Sequence, residues 1–159
     1  MLRKSWGGAA IALLALALVA PSVALADNIV GDDGANDLRG TSGKDRIVGK
    51  GGNDFLSGLA GKDLIQGGPG NDILSGGSHA DRLYGGDGRD RLNGGSGDDL
   101  LVGGPGADIL MGGSGNDVIE AAGDGSRDTV NCGEGNADRA VVDPGDTVVW
   151  CETVKVVLP

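Results

Sequence analysis

A unit of nine residues, G-G-x-G-x-D-x-U-x with U aliphatic, runs through this chain ten times without a gap, from Gly31 to Glu120. One copy is Gly67-Gly68-Pro69-Gly70-Asn71-Asp72-Ile73-Leu74-Ser75, and Gly103 to Met111 is nearly the same again. A fixed short period dictates a stacked architecture in which each unit contacts only its neighbours. Counted from Gly31, position 1 is Gly in all ten copies, and position 4 is Gly in all but the copy with His79. Position 6 is Asn36 in the first copy and then Asp45, Asp54, Asp63, Asp72, Asp81, Asp90, Asp99, Asp108 and Asp117. Position 8 is Leu or Ile throughout, from Leu38 to Ile119.

Each column has a physical reason. Glycine permits positive φ and keeps Cβ atoms away from backbone carbonyls that turn toward a shared point. The x-U-x segment is long enough only for a very short strand, whose alternation sends U to one face and its neighbours to the other. Arg82, Arg91, Ser57, Ser75, Gln66 and Asn93 suit an outer, wet face. Phe55, Leu64, Ile73 and Ile109 are expected to make part of one outer face apolar. Two nonapeptides close one coil, and stacked coils give two parallel sheets with rungs about 4.8 Å apart. Alternate copies then share an edge. One edge carries Asp45, Asp63, Asp81, Asp99 and Asp117, and the other Asn36, Asp54, Asp72, Asp90 and Asp108. Bare carboxylates one rung apart repel by roughly 3 kcal/mol per pair at an effective dielectric near 20.

The ten in-phase copies resemble the hemolysin-type (RTX) calcium-binding repeat, over residues 31–120. The resemblance implies an all-β fold, a right-handed parallel β-roll of about five two-repeat coils. It also implies Ca2+ ions between successive turns of each edge, held by the position-6 carboxylates (and Asn36) and glycine-loop carbonyls. Five loops per edge leave four gaps, so at most about eight ions. The chemistry agrees: calcium takes six to eight oxygen ligands in flexible geometry, whereas magnesium demands a tight octahedron and holds its waters. Softer metals want His or Cys, and neither forms a column. Asn36 keeps an oxygen and loses a charge, which weakens the Asn36/Asp54 site. His79 is read as a surface substitution, His tolerating positive φ better than most residues.

The flanks differ. Arg3 and Lys4, the apolar run Ala9 to Ala20 and the small residues Ala24-Leu25-Ala26 have the form of a secretory signal peptide. The apolar run is short of the roughly 20 residues a spanning helix needs. Cleavage after Ala26 removes two cations and no acid, taking the formal charge from −10 to −12. No basic patch for nucleic acid or an anionic membrane is expected in such a chain. Cys132 and Cys151, the two cysteines of the chain, are expected to form a structural disulfide once exported. After Glu120 the phase slips, and Asp128-Thr129-Val130, Asp138-Arg139-Ala140 and Asp146-Thr147-Val148 echo D-x-U at irregular spacing. The expected partition is a signal peptide at 1–26, the calcium-binding β-roll at 27–120, and degenerate repeats with a disulfide-linked C-terminal β cap at 121–159.

No Ser/His/Asp or zinc-binding constellation is present, and His79 is the sole histidine, so enzyme activity is not expected. The leading expectation is a secreted, extracellular calcium-binding protein that folds as it binds several Ca2+. An extracellular adhesive or matrix module, with an unknown surface partner and calcium only as scaffold, is the alternative. Phe55, Leu64, Ile73 and Ile109 would be its contact residues.

Overall fold

Alternation of inward and outward residues does not stop at the repeat boundary. Asp72, Leu74 and Gly76 are buried, while Asn71 and Ile73 between and beside them are exposed. Positions 6, 8 and 1 thus form one inward row with the two-residue period of extended chain. The computed structural model describes residues 27–158; the signal peptide expected at 1–26 lies outside the described residues.

Fifteen strands follow in chain order: β1 (Asn28–Val30), β2 (Asp37–Arg39), β3 (Arg46–Val48), β4 (Phe55–Ala60), β5 (Leu64–Pro69), β6 (Ile73–Ser78) and β7 (Arg82–Asp87). Then come β8 (Arg91–Ser96), β9 (Leu100–Val102), β10 (Ile109–Ser114), β11 (Val118–Ala121), β12 (Thr129–Glu134), β13 (Arg139–Val142), β14 (Thr147–Val149) and β15 (Thr153–Val156). The odd strands stack in order into an eight-stranded sheet and the even strands into a seven-stranded sheet. Every pairing is parallel, with like positions opposite one another: Leu56 faces Leu74, and Leu74 faces Leu92. The result is a parallel β-roll, as the repeat implies.

Two features depart from the sequence reading. Several strands (β4 to β8, β10 and β12) are six residues long, twice the expected length, because positions 1 to 3 of the next repeat continue the ladder. The second departure is the coil count, about seven rather than five. The degenerate tail extends both sheets, with β12 on β10, β13 on β11, β14 on β12 and β15 on β13. Its irregular spacings fall in the turns, so Val130 still stacks on Leu110 and Ala140 on Ile119.

Between the sheets lie two columns of aliphatic side chains. Ile47, Ile65, Leu83, Leu101, Ile119 and Ala140 line the odd sheet; Leu56, Leu74, Leu92, Leu110 and Val130 line the even one. Cys132 is buried in the same interior and bonded to Cys151, with their Cα atoms 5.1 Å apart, so the expected disulfide is present. The apolar outer residues do not share one face. Phe55, Ile73 and Ile109 lie on the even sheet, Leu64 on the odd one, since successive repeats alternate between sheets.

Glycines divide into two kinds. From Lys50 onward, positions 2 and 4 have left-handed φ, as at Gly86 (φ 117°) and Gly88 (φ 131°), and Lys50, Leu59 and His79 adopt the same region. Position 1 does not need that conformation. There a side chain has no room: a Cβ on Gly85 would collide with Asp90 Oδ2 and lie 2.6 Å from the Gly103 carbonyl oxygen. Gly85→Ala should therefore lower stability by about 1–3 kcal/mol through overpacking. Leu59→Gly relieves a strained backbone and should leave stability unchanged or higher. Urea unfolding of both variants under one set of ionic conditions checks the distinction.

Candidate metal sites along two turn columns

The turns join the sheets at two edges, and the position-6 residues divide between them as expected from the period. Asp45, Asp63, Asp81, Asp99 and Asp117 follow even strands, and Asn36, Asp54, Asp72, Asp90 and Asp108 follow odd ones. The backbone N–H of each donates to Oδ1 of the equivalent residue one coil on: Asp63 to Asp81 at 2.8 Å, Asp72 to Asp90 at 2.8 Å, Asp81 to Asp99 at 2.7 Å. Each side chain thus leans along the stack, inside the coil. From Asp45 to Asp117 the nine aspartates are at most 2% exposed. The columns do not end with the regular repeats. Asp108 donates to Asp128 and Asp128 to Asp146; Asp117 donates to Asp138 and Asp138 to Glu152 Oε2.

One hydrogen bond satisfies one carboxylate oxygen. The second, Oδ2, is buried without a partner at Asp54, Asp63, Asp72, Asp81, Asp90, Asp99, Asp108, Asp117, Asp128 and Asp138. A buried ionised oxygen left unpaired is costly. The space beside it is also defined. A Cβ on Gly67 would meet both Asp72 Oδ2 and the carbonyl oxygen of Gly85, one coil on. The same convergence of a carboxylate oxygen and a next-coil carbonyl recurs at Asp54, Asp63, Asp81, Asp90, Asp99 and Asp117. Among the described residues no three His, Cys, Asp or Glu side chains gather at one point. The donor set is a single carboxylate oxygen per turn plus backbone carbonyls, hard ligands that suit Ca2+.

The first turns are different. Asn36 Oδ1 accepts from the Asp32 N–H, and its amide nitrogen donates to Asp32 and to the Gly34 carbonyl. Asp45 Oδ2 accepts from the Thr41 N–H, and the Thr41 hydroxyl lies within hydrogen-bond reach of both oxygens. At these two positions protein donors already take the oxygens. Asp128 and Asp138, by contrast, carry unpartnered oxygens and lay outside the regular repeat count. Their signal in the sequence was the D-x-U echo. His79 is exposed, with Nδ1 2.8 Å from the Ser78 carbonyl oxygen.

Burial pushes the carboxyls of Asp81 and Asp99 up to about 7, and those of Asp90, Asp108, Asp117 and Asp128 up to about 6. The N–H from the preceding coil opposes this, while carboxylates above and below add to it. Asp63 and Asp72 are raised by the same desolvation. A folded-state value above the unfolded one means that folding takes up protons between the two. The ion-free roll therefore gains stability as pH falls through that window and loses it as pH rises through the folded values. In EDTA, the residual strand signal in circular dichroism should be smaller at about pH 8 than at about pH 5. A cation held by these oxygens would compete with the same protons, so the chain's calcium affinity should change in the opposite sense, weakening toward pH 5.

The family model of the RTX calcium-binding nonapeptide repeat (4 copies) matches residues 24–56, 57–92, 84–119 and 102–137. No curated protein matches the chain. Matched over most of its length, and built as a parallel β-roll with a buried aspartate in each regular turn from Asp45 to Asp117, the chain belongs to the RTX calcium-binding nonapeptide-repeat family.

Proposed function

We propose that this protein is a secreted, non-catalytic calcium-binding roll that acquires its fold as Ca2+ enters the turns of both edges. The observation that carries this reading is the row of buried, unpartnered Oδ2 atoms, seven of which converge with a backbone carbonyl oxygen of the next coil. A dication there converts mutual repulsion into bridging. Asp54, Asp63, Asp72, Asp81, Asp90, Asp99 and Asp117, where carboxylate and carbonyl converge, are the strongest ligands. Asn36 and Asp45 are the weakest of the position-6 set, their oxygens being engaged by protein donors. Export accords with the signal-like segment at 1–26 and with the oxidised cysteine pair, which persists in oxidising compartments. Low cytosolic calcium would leave the chain unfolded before export, and external calcium would fold it.

An adhesive role rests on one observation: Phe55 and Ile73 are exposed neighbours on adjacent coils of the even sheet. Calcium-dependent retention on cell surfaces that is lost in Phe55→Ser would support that role.

Circular dichroism of the mature chain during calcium titration tests the main proposal. Strand signal should develop with calcium, collapse in EDTA and fail to return with equimolar magnesium. An unchanged strand signal in EDTA would sink the proposal. The Asp81→Asn/Asp99→Asn double variant should bind fewer ions and need more calcium to reach half its signal.

A further inference from the structure

The last coil is closed by groups that no earlier coil uses. On one edge, Cys132 falls opposite Gly112 in the position-1 column, where every regular repeat has glycine. The turn after it is one residue longer than the turn from Gly112 to Asp117, and the side chain that enters the interior is bonded to Cys151. The next turn on this edge, between β14 and β15, has Glu152 as its acid, exposed to solvent, with Oε2 accepting the Asp138 N–H.

On the other edge the polarity of the turn is reversed. The N–H groups of Gly123, Asp124 and Gly125 all donate to Asp143 Oδ2, at 2.9, 3.2 and 2.9 Å. Successive amides converging on one oxygen make an anion nest. The anion here is the protein's own carboxylate, supplied from the following coil. Asp146, next in the acid column, has both oxygens engaged, one by the Asp128 N–H and one by the Asp143 N–H. Amides that converge on an anion present the wrong charge to a cation. Asp128 and Asp138 each keep a buried Oδ2 without a partner, but the position-1 place of their turns holds a side chain, Ala121 or Cys132, where the regular cages have glycine. Neither Asp146 nor Glu152 adds a free buried oxygen.

We infer that the final rung, which joins β12 and β13 to β14 and β15, takes no cation and is locked instead by the Cys132–Cys151 disulfide and the Asp143 carboxylate. This rests on the calcium reading of the preceding coils. The terminal coils then stay docked when calcium is withdrawn, and their docking depends on thiol state. A dithiol reductant supplies two electrons and two protons, breaks the S–S bond to give two thiols, and closes to its own disulfide. The lock on one edge is then gone, and the Asp143 nest alone holds the last coil.

Hydrogen exchange of the full mature chain tests this, read by mass spectrometry in calcium and in EDTA, before and after dithiothreitol. In EDTA the amides of Gly123 to Gly125 and of Asp138 should exchange roughly tenfold or more slowly than those of Asp72 and Asp90. Dithiothreitol, or the Cys132→Ser/Cys151→Ser variant, should remove that protection in EDTA. Asp143→Asn should lower it at Gly123 to Gly125 with the disulfide intact. Terminal amides that exchange as fast as the regular coils in EDTA overturn the inference, as does protection indifferent to reduction. Full protection of Asp72 and Asp90 in EDTA would instead count against the calcium reading, while thiol sensitivity at the last rung still decides this one.

Discussion

The structure depends on a mismatch between two oxygens and one donor. From Asp54 to Asp117 each turn buries a carboxylate, and the N–H from the preceding coil satisfies a single oxygen of it, as at Asp81, which accepts from Asp63. The second oxygen is left facing the carbonyls of the next turn, acceptor against acceptor. In a low-dielectric interior that arrangement is unfavourable for the ion-free chain. The same arrangement is a ready cage for a hard dication. On the proposed reading, folding and ion binding are one process in the regular coils.

The two kinds of glycine follow from that cage. Position-1 glycines leave the gap between carboxylate and carbonyl open, and any side chain would fill it. Glycines at positions 2 and 4 bend the backbone so that its carbonyls face along the stack. Toward the ends of the columns, where the proposed cage is interrupted, the residues differ. Thr41 fills the first turn of one edge, Cys132 replaces a position-1 glycine at the other end of the roll, and Asp143 takes the amides of its neighbouring turn. Protein groups thus seal the ends of the columns, and ion-seeking oxygens run between them.

Much of this was legible in the letters. The nine-residue period yields the parallel roll, the two sheets, the division of acids between edges and the aliphatic columns. Strand length was not legible, because a glycine at position 1 reads as turn while its backbone continues the ladder. The extent of the roll was hidden because the tail keeps its inward residues, Val130 and Ala140, and changes only its turn lengths. Leu64 appeared to join Phe55 and Ile73 on one face, yet odd and even repeats go to different sheets. The roles of Thr41 and Asp143 depend on three-dimensional hydrogen bonds that no spacing encodes.

The most direct test of the central claim is a crystal structure of the mature chain grown in calcium, with anomalous differences used to locate the ions. The account predicts peaks between successive turns of both edges, each within coordination distance of a position-6 Oδ2 and a position-1 carbonyl oxygen. The peaks should be strongest from Asp54 to Asp117, and none should lie at the Asp143 turn. An ordered roll with no peaks beside Asp72, Asp81, Asp90 and Asp99 would contradict it.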